Sequence, residues 1–295
     1  MARPADILST ALAPAIWGST YYVTTQFLPP GHPVTLAALR ALPAGLLLLL
    51  VVRRLPGRDW LGRLLVLGAL NFAVFWALLF VAAYRLPGGV AATLGATQAL
   101  IVIGLSRGLL GMPVRPAPVL AALAGVAGVG LMVLGPSAAL DPVGLAAGIG
   151  GAASMAAGTV LSRKWQPPVP PLTFTAWQLT AGGLLLAPLA LVTEPPLAAL
   201  SPRALGGILY LTLIGAAATY FLWFRGLARL APSAAAMLGM MSPLTAMLLG
   251  WLLLGQSLTP VQLAGAAVVL GSVWLGQRRG PRPGGALPKA ATQAA

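Results

Sequence analysis

The sequence predicts an all-α polytopic membrane protein with ten transmembrane helices, arranged as two inverted five-helix repeats around a central cavity. Three observations lead to this prediction. Of the 295 residues, 58% are hydrophobic and only 7% are charged, whereas soluble proteins carry about 25% charged residues. Apolar stretches of the length that a bilayer requires, about 20 residues, recur along the chain. The second half of the chain also repeats the first.

The predicted spans are separated by short polar or basic segments, and most of them begin with a proline. Proline suits the first turn of a helix because its missing N–H would have no partner there. The predicted spans, numbered 1 to 10 in chain order, are 6–28, 33–52, 61–84, 87–107, 116–135, 142–162, 171–192, 203–225, 232–254 and 260–277. Residues 278–295 are rich in Gly, Pro and Ala, which predicts a disordered cytoplasmic tail.

The basic residues fall mostly on one side of the predicted membrane. The net charge is +14, from 18 Lys and Arg against 4 Asp and Glu. If the N-terminus is cytoplasmic, 15 of these 18 basic residues are cytoplasmic: Arg3, Arg53, Arg54, Arg58, Arg63, Arg107, Arg115, Arg163, Lys164, Arg225, Arg229, Arg278, Arg279, Arg282 and Lys289. The positive-inside rule therefore predicts that both termini are cytoplasmic. Charges placed this way predict no nucleic-acid partner, because they form no basic stripe on a polar surface.

The repeat is visible as ungapped matches between the two halves. Residues 29–35 match residues 167–173 at an offset of 138, and Leu94-Gly95 matches Leu238-Gly239 at an offset of 144. The repeated unit has five spans, and because five is odd, the second copy must enter the membrane upside down. The sequence thus predicts a first repeat over 1–137 and an inverted second repeat over 138–277.

Charge supports the inversion independently, because corresponding loops have opposite character. The loop after span 2 carries four arginines, whereas its counterpart after span 7 has Glu194 and no basic residue. Inverted repeats are a recurring design of secondary transporters, whose solute site lies between the halves near the membrane midplane. The repeat therefore favours a transporter that works by alternating access.

Several stretches resemble the EamA-type repeat of the drug/metabolite transporter superfamily. They are Ile16-Trp17-Gly18-Ser19, the segment Pro33 to Arg40, the region Gly111 to Pro116, and the second copy from Pro232 through Pro243 and Gly255 to Pro260. Within that superfamily the chain is most similar to bacterial exporters of aromatic and other neutral amino acids. The resemblance implies a ten-helix basket around a central cavity in a bacterial inner membrane, and we expect a monomer.

The chain departs from this family pattern at three positions. Proline is frequent in span 4 of the family, where this chain has Ala99, although Pro243 keeps it in span 9. Glutamate is frequent after the glycine that ends spans 4 and 9, where this chain has Met112 and Gln256. A role that depends on that carboxylate is therefore not expected in this protein.

Aromatic residues within the spans are the first candidates for solute binding. Trp17 and Tyr21 share one face of span 1. Trp17 lies roughly 16 Å along its helix, too deep for the aromatic belt at the membrane interface, so it either faces the cavity or packs between helices. Tyr220 and Trp223 of span 8 either belong to that belt or line the cavity. Span 3 adds Phe75 and Trp76 to the candidates.

Polar and sulfur-containing residues within the spans complete the candidate set. Asn71 and Gln98 each need a hydrogen-bond partner in hydrocarbon, which a solute or another helix would supply. Met237 and Met241 lie on one face of span 9, where flexible side chains suit varied apolar solutes but equally suit packing. Arg40 is the one charge well inside a span, and it either snorkels, caps a packed network or binds a carboxylate.

The remaining composition argues against catalysis. The chain has no cysteine and one histidine, so we expect no thiolate or His-based site, no metal and no cofactor. All four acidic residues lie at or beyond the predicted span ends, which leaves no intramembrane acid–base pair, and we expect no enzyme. The predicted function is export of small neutral or zwitterionic metabolites, including aromatic amino acids, by facilitated diffusion. A metabolite–proton or multidrug–proton antiporter is the alternative, followed by a channel.

Overall fold

The computed structural model describes residues 3–86, 93–133, 141–197, 199–255 and 257–278, where every regular element is helical. Pro87, Gln256, the tail beyond 278 and the side chain of Tyr21 lie outside the described part. Spans 1, 2, 5, 6, 7 and 10 are single helices: Pro4–Phe27, Pro33–Val52, Pro116–Val133, Pro142–Lys164, Pro171–Thr193 and Pro260–Arg278. Proline begins each of these six helices, as predicted for all but span 1, which starts at Pro4 instead of residue 6.

Spans 3 and 8 each contain a π-helical segment at the same place in the repeat. Span 3 consists of Arg58–Gly68, the π segment Ala69–Ala73 and Val74–Arg85; span 8 consists of Pro202–Thr212, the π segment Leu213–Ala218 and Thr219–Arg229. A π turn opens the helical hydrogen-bond ladder, and such turns are frequent at functional sites. Their shared position marks spans 3 and 8 as equivalent elements.

Spans 4 and 9 are both interrupted and both end on a left-handed glycine. Span 4 turns at Thr97 before the helix Gln98–Leu110, and span 9 turns between the helices Pro232–Leu238 and Met241–Leu254. The glycines that end these spans have φ of 65°, a backbone conformation that favours glycine as the helix terminator; they are Gly111 and Gly255.

The helices are long and apolar enough to form a membrane-embedded bundle. Eight spans in the described residues satisfy both length and hydropathy, and the span 5 helix is apolar but shorter. Span 1 has 24 residues but is more polar, because Trp17, Ser19 and several threonines lie within it. Two of these side chains bond to span 8, so the polarity of span 1 serves contacts inside the protein. The fold is the predicted ten-helix repeat.

Equivalent spans meet directly across the pseudo-two-fold axis that relates the repeats. Gly45 of span 2 packs against the backbone of Thr180 in span 7, and Gly183 of span 7 packs against Leu42 in span 2. A Cβ added at Gly183 would lie 2.6 Å from the Cα of Leu42. Small residues allow this close approach, which drives helix association in lipid. The offset of 138 makes Gly45 and Gly183 repeat mates.

The other contacts between spans follow the same symmetry. Span 1 packs against spans 8 and 9, and its mate, span 6, packs against spans 3 and 4. Spans 5 and 10 face each other through Gly128 and Gly265. The arrangement places spans 1, 3, 6 and 8 where the two repeats share a common interior.

Candidate functional site

Six aromatic side chains meet where spans 1, 3 and 8 come together, near the middle of these helices. The ring centroids of Trp17 and Tyr220 are 4.8 Å apart, and those of Phe72 and Tyr220 are 4.7 Å apart. The cluster joins both repeats, because spans 1 and 3 belong to the first and span 8 to the second. We call it the central aromatic cluster: Trp17, Phe72, Trp76, Tyr220, Trp223 and Phe224.

The cluster is packed shut at the level where the sequence predicts a central cavity. Tyr220 is 2% exposed and Trp223 is 1% exposed, whereas Trp17 keeps a partly exposed side chain. In the described structure the Trp223 Nε1 donor is buried and has no hydrogen-bond partner. A tryptophan N–H usually finds a partner when it is buried, so this donor is available to a polar group that enters the cluster.

Trp17 binds span 8 through its polar atom as well as its ring. Its Nε1 donates to Thr219 Oγ1 at 2.9 Å, and Thr219 donates in turn to the carbonyl of Gly215 at 2.8 Å. Thr219 is the first residue after the π segment of span 8, so this chain of hydrogen bonds connects span 1 to the opened turn. The sequence did not single out Thr219, because a threonine within a helix usually bonds to its own backbone.

The aromatic rings near the end of span 8 pack against rings of other spans. Trp223 was predicted near the end of a span finishing at 225, and the helix continues to Arg229. Trp223 and Phe224 lie in the protein interior, where they are 1% and 3% exposed. The sequence left the interface belt and the cavity open for Trp223, because burial against other spans depends on contacts that are distant in the sequence.

Asn71 lies in the π segment of span 3 and takes part in a neutral hydrogen-bond network. Its Nδ2 donates to Gln178 Oε1 at 2.9 Å and to Ser162 Oγ at 3.2 Å. All three side chains are buried, and Ser162 also donates to Gln178 at 3.2 Å. We call these three residues the amide network. It joins spans 3, 6 and 7, so a helix rather than a solute supplies Asn71's partners here.

Arg40 occupies the equivalent position in the other half. Arg40 and Gln178 are repeat mates at the offset of 138, and Gly215 is the mate of Asn71 at the offset of 144. Arg40 Nη2 donates to the Gly215 carbonyl, and its Cζ lies 5.1 Å from the centroid of the Trp76 ring. The guanidinium therefore turns into the protein towards spans 3 and 8 and does not snorkel to the surface.

The other candidates are distributed around the central aromatic cluster. Phe75 is partly buried and packs on the same core. Met237 is 0% exposed; it packs against Gly276 of span 10 and belongs to the same buried core. Met241 and Gln98 are partly buried and begin the helices that follow the breaks in spans 9 and 4.

Ser19 and Tyr210 form a further polar contact that the sequence did not single out. Their hydroxyls are 2.7 Å apart and join span 1 to span 8. Both side chains are partly exposed, and Tyr210 lies one helical turn before Gly215. The contact therefore adds hydroxyl groups to the surroundings of Arg40.

Ion pairs join the ends of equivalent spans at opposite ends of the bundle. At one end, Asp6 pairs with Arg229 at 2.6 Å and with Arg225 at 3.6 Å. At the other end, Arg85 pairs with Asp141 at 3.2 Å. Arg85 and Arg229 are mates at the offset of 144, so each pair ties the end of span 3 or 8 to the start of span 6 or 1.

Asp141 is held ionised by more than its arginine. Its carboxylate accepts hydrogen bonds from the backbone N–H groups of Gly144 and Val143, as an N-cap of span 6. These bonds, with that to Gly144 foremost, together with Arg85, lower the pKa of Asp141 below its ordinary value. Glu194 similarly accepts from the N–H groups of Val34 and Thr35 at the start of span 2.

Pockets of different size lie at the two ends of the bundle. One of about 300 Å³ is lined by Phe27, Leu28, His32, Leu200 and Ala204, at the end where spans 2 and 8 begin. At the opposite end a pocket of about 20 Å³ lies between residues of spans 4, 5 and 9. The larger pocket is on the side of the membrane-spanning bundle that is nearer to Arg40.

Comparison with known proteins identifies the family. The model of the EamA-like transporter family matches twice, over residues 5–134 and over residues 142–276. The chain belongs to the EamA-like transporter family. It is therefore a multi-pass membrane transporter of small metabolites.

Three relatives of this EamA transporter align along most of their length. Protein PecM of Dickeya dadantii is 48% identical over 263 residues, covering 88% of each chain. The transporter YwfM of Bacillus subtilis is 32% identical, covering 89% of this chain and 90% of the relative. The inner membrane transporter YedA of Escherichia coli is 30% identical, covering 88% and 86%.

A solved crystal structure has the same fold. It superposes with a TM-score of 0.80, covers 95% of this chain and 100% of its own, and shares 20% sequence identity. At that identity the likeness concerns the fold alone. It supports the ten-helix repeat described above.

Proposed function

We propose that this EamA transporter exports small neutral or zwitterionic metabolites, aromatic amino acids among them, from the bacterial cytoplasm. The observation that carries the proposal is the central aromatic cluster, which lies between the repeats near the middle of the spans. Flat aromatic solutes are well matched to such a site, because ring pairs gain about 0.5–1.5 kcal/mol beyond their area burial. The unpartnered Nε1 donor of Trp223 adds a polar group that a solute would satisfy.

Alternating access is the mechanism that the symmetry favours. Each repeat contributes one span with a π segment and one broken span, and at each end of the bundle an ion pair joins the two repeats. Exchanging the conformations of the two repeats would open one face while the other stays closed. In this structure both ion pairs are formed and the central rings are packed, as expected for a closed arrangement between the two open states.

Transport by facilitated diffusion agrees with the positions of the acidic residues. Proton-coupled carriers use titratable groups inside the membrane, but the four acidic residues of this chain lie at span ends. Asp6, Asp141 and Glu194 are engaged in ion pairs or helix caps there, and Asp59 is exposed in the first turn of span 3. The working arrangement that we propose is a monomer in the inner membrane with both termini cytoplasmic.

The proposal is tested with the purified protein in proteoliposomes that have no pH gradient and no membrane potential. Radiolabelled L-phenylalanine should equilibrate across the membrane, and unlabelled L-phenylalanine inside should accelerate its entry, because a carrier exchanges solute faster than it returns empty. Entry without such acceleration indicates a channel. Accumulation only after a pH gradient is imposed indicates the proton antiporter.

A matched pair of tryptophan variants tests the site itself. Trp76→Ala removes a ring of the central aromatic cluster, whereas Trp251→Ala removes a ring that is 48% exposed on the outside of span 9. We expect Trp76→Ala to reduce the exchange of L-phenylalanine and Trp251→Ala to leave it unchanged. Equal effects of the two substitutions would contradict a role of the cluster in solute binding.

A further inference from the structure

Arg40 is a cation within the membrane-spanning bundle that no acidic side chain of the protein can neutralise. The whole chain has four acidic residues. Two form ion pairs with Arg85, Arg225 and Arg229, the third caps the start of span 2, and Asp59 is exposed near the membrane surface. Charged side chains inside membranes are costly, and they usually mark a solute or ion pathway.

Most of the hydrogen-bonding capacity of Arg40 is also unused within the described structure. A guanidinium has five N–H donors, and the bond from Nη2 to Gly215 uses one of them. The Nε donor is buried and has no partner, although the side chain as a whole is partly exposed. The guanidinium thus combines a position held by Gly215 with a buried Nε donor that has no partner in the described structure.

The repeat mate of Arg40 is a neutral residue with side-chain partners. Gln178 is 0% exposed, and its Oε1 receives hydrogen bonds from Asn71 and Ser162, while its Nε2 has no partner in the described structure. In the Arg40 half, Gly215 replaces Asn71, so no side chain projects from the π segment to meet the guanidinium. A neutral amide closes one half, whereas the other half keeps a cation and lacks the group that would cover it.

We propose that Arg40 binds the carboxylate of the transported solute, which makes small organic carboxylates with an aromatic or flat apolar part the preferred substrate class. Guanidinium donors match the two oxygens of a carboxylate in a planar, bidentate geometry. The Trp76 ring beneath the guanidinium, with Tyr220 in ring contact with Trp76, would receive the solute's ring. This inference rests on the proposed function and specifies its substrate.

The test compares two compounds that differ only in the carboxylate. L-Phenylalanine carries it, and L-phenylalaninamide keeps the ring and the amino group but lacks it. We expect Arg40→Gln to reduce exchange of L-phenylalanine in proteoliposomes at least tenfold while exchange of the amide is maintained. Arg40→Lys should retain part of the L-phenylalanine activity, because it keeps the charge without the bidentate fork. Arg58→Gln, an exposed arginine at the start of span 3, is the matched control and should change neither rate.

A second variant separates recognition from folding. Arg40→Gln combined with Gly215→Asn places in this half the residue pair that Gln178 and Asn71 form in the other. A Cβ at Gly215 would have only ordinary contacts, the nearest atom being 3.5 Å away. The double variant should fold as well as the wild type, judged by its melting temperature in detergent, and should still discriminate against L-phenylalanine.

Ligand binding provides a readout that does not depend on transport. 3-Phenylpropionate, a carboxylate without an amino group, should raise the melting temperature of the wild type but not that of Arg40→Gln. An unchanged ratio of acid to amide exchange in Arg40→Gln overturns the inference and leaves the proposed function intact. A wild type that exchanges neither compound, but is stabilised by 3-phenylpropionate through Arg40, contradicts the proposed amino-acid substrates and supports carboxylate recognition. A wild type that neither exchanges nor binds a carboxylate overturns both.

Discussion

The amide network around Asn71 and the contact between Arg40 and Gly215 occupy equivalent positions in the two repeats but have different chemistry. Each connects span 2 or span 7 to a π segment in the opposite repeat. In the amide network, three neutral and fully buried side chains hydrogen-bond to one another, although Asn71 Oδ1 and Gln178 Nε2 have no partner in the described structure. At Arg40, one hydrogen bond to Gly215 holds a cationic guanidinium, and its buried Nε donor has no partner in the described structure. Both repeats share a contact between span 2 or 7 and a π segment, which we assign to the fold. Only the first repeat adds a positive charge at this position, which we assign to solute recognition.

Disrupting the contact between spans 2 and 7 should lower the stability of the protein most, because these two spans carry Arg40 and Gln178. In Gly45→Ala and Gly183→Ala, the new methyl group would overlap the facing backbone, and such overpacking costs about 1–3 kcal/mol. We expect both variants to melt at clearly lower temperature in detergent. Gly206→Ala, where a Cβ meets no atom within 4 Å, is the control, and an equal response in all three variants would contradict close packing here.

Removing the amide of Asn71 should affect stability more than selectivity. Asn71→Ala leaves the Gln178 and Ser162 side chains without their main partner, and an unsatisfied buried polar group costs about 1–3 kcal/mol. The melting temperature should fall while the ratio of L-phenylalanine to L-phenylalaninamide exchange stays at its wild-type value. Arg40→Gln should show the opposite pattern. A change of that ratio in Asn71→Ala would mean that both halves recognise the solute.

The hydrogen bond between Trp17 and Thr219 should contribute less to the free energy of unfolding, about 0.5–1.5 kcal/mol. Trp17→Phe keeps a ring in the central aromatic cluster but removes the donor, and Thr219→Val removes the acceptor. We expect each variant to be less stable and the double variant to be no worse than the more damaging single one. Fully additive losses in this double-mutant cycle would show that the two side chains do not interact.

Removing the ion pair at one end of the bundle should favour the conformation that is open at that end. We expect the two removals to act in opposite directions, each with a small effect. Because the chain has no cysteine, a single introduced cysteine is the only site that a thiol reagent can label. Ser233→Cys places it in the smaller pocket, and Leu200→Cys places it in the larger one. Asp6→Asn should raise thiol labelling at position 233, and Asp141→Asn should raise it at position 200. The expected change is about two- to fivefold, because exposed ion pairs are weak. Changes in the same direction at both reporters would contradict alternating gates.

External pH should change the exchange of L-phenylalanine less than any of these substitutions. The lowered pKa of Asp141 means that the carboxylate stays ionised above its ordinary pKa of about 3.9. Its stabilising contribution is therefore fully present above that value and is lost only as the pH falls through the lowered pKa. Exchange of L-phenylalanine should be equal at pH 5.5 and pH 7.5. A steep dependence in that interval would indicate a protonatable group in the transport cycle.

The sequence predicted the helices well because their signals are local. A proline begins spans 2, 5, 6, 7, 8, 9 and 10 in the structure, and each sits where a helix tolerates the missing N–H. Left-handed glycines end spans 4 and 9, and the basic segments separate the apolar stretches. The repeat then determined which spans are equivalent, which their symmetric contacts confirm.

The site was predicted less completely because its contacts are distant in sequence. Asn71 and Gln178 are 107 residues apart, and Trp17 and Thr219 are 202 apart. The π segments of spans 3 and 8, which hold Asn71 and Gly215, have no sequence signature that could have announced these contacts. The repeat did contain one usable signal. At its offsets Asn71 aligns with Gly215 and Gln178 aligns with Arg40, so a contact in one repeat predicts the equivalent contact in the other.

The central claim is that Arg40, whose repeat mate is the neutral Gln178, recognises the solute. An experimental structure with solute bound tests this claim most directly. The protein in lipid nanodiscs would be imaged by cryo-electron microscopy with saturating L-phenylalanine. We predict a carboxylate oxygen within about 3 Å of Arg40 nitrogen atoms, as in charge-assisted hydrogen bonds, and the solute ring against Trp76 and Tyr220. L-Phenylalanine bound elsewhere, with Arg40 still held by Gly215 alone, would contradict it.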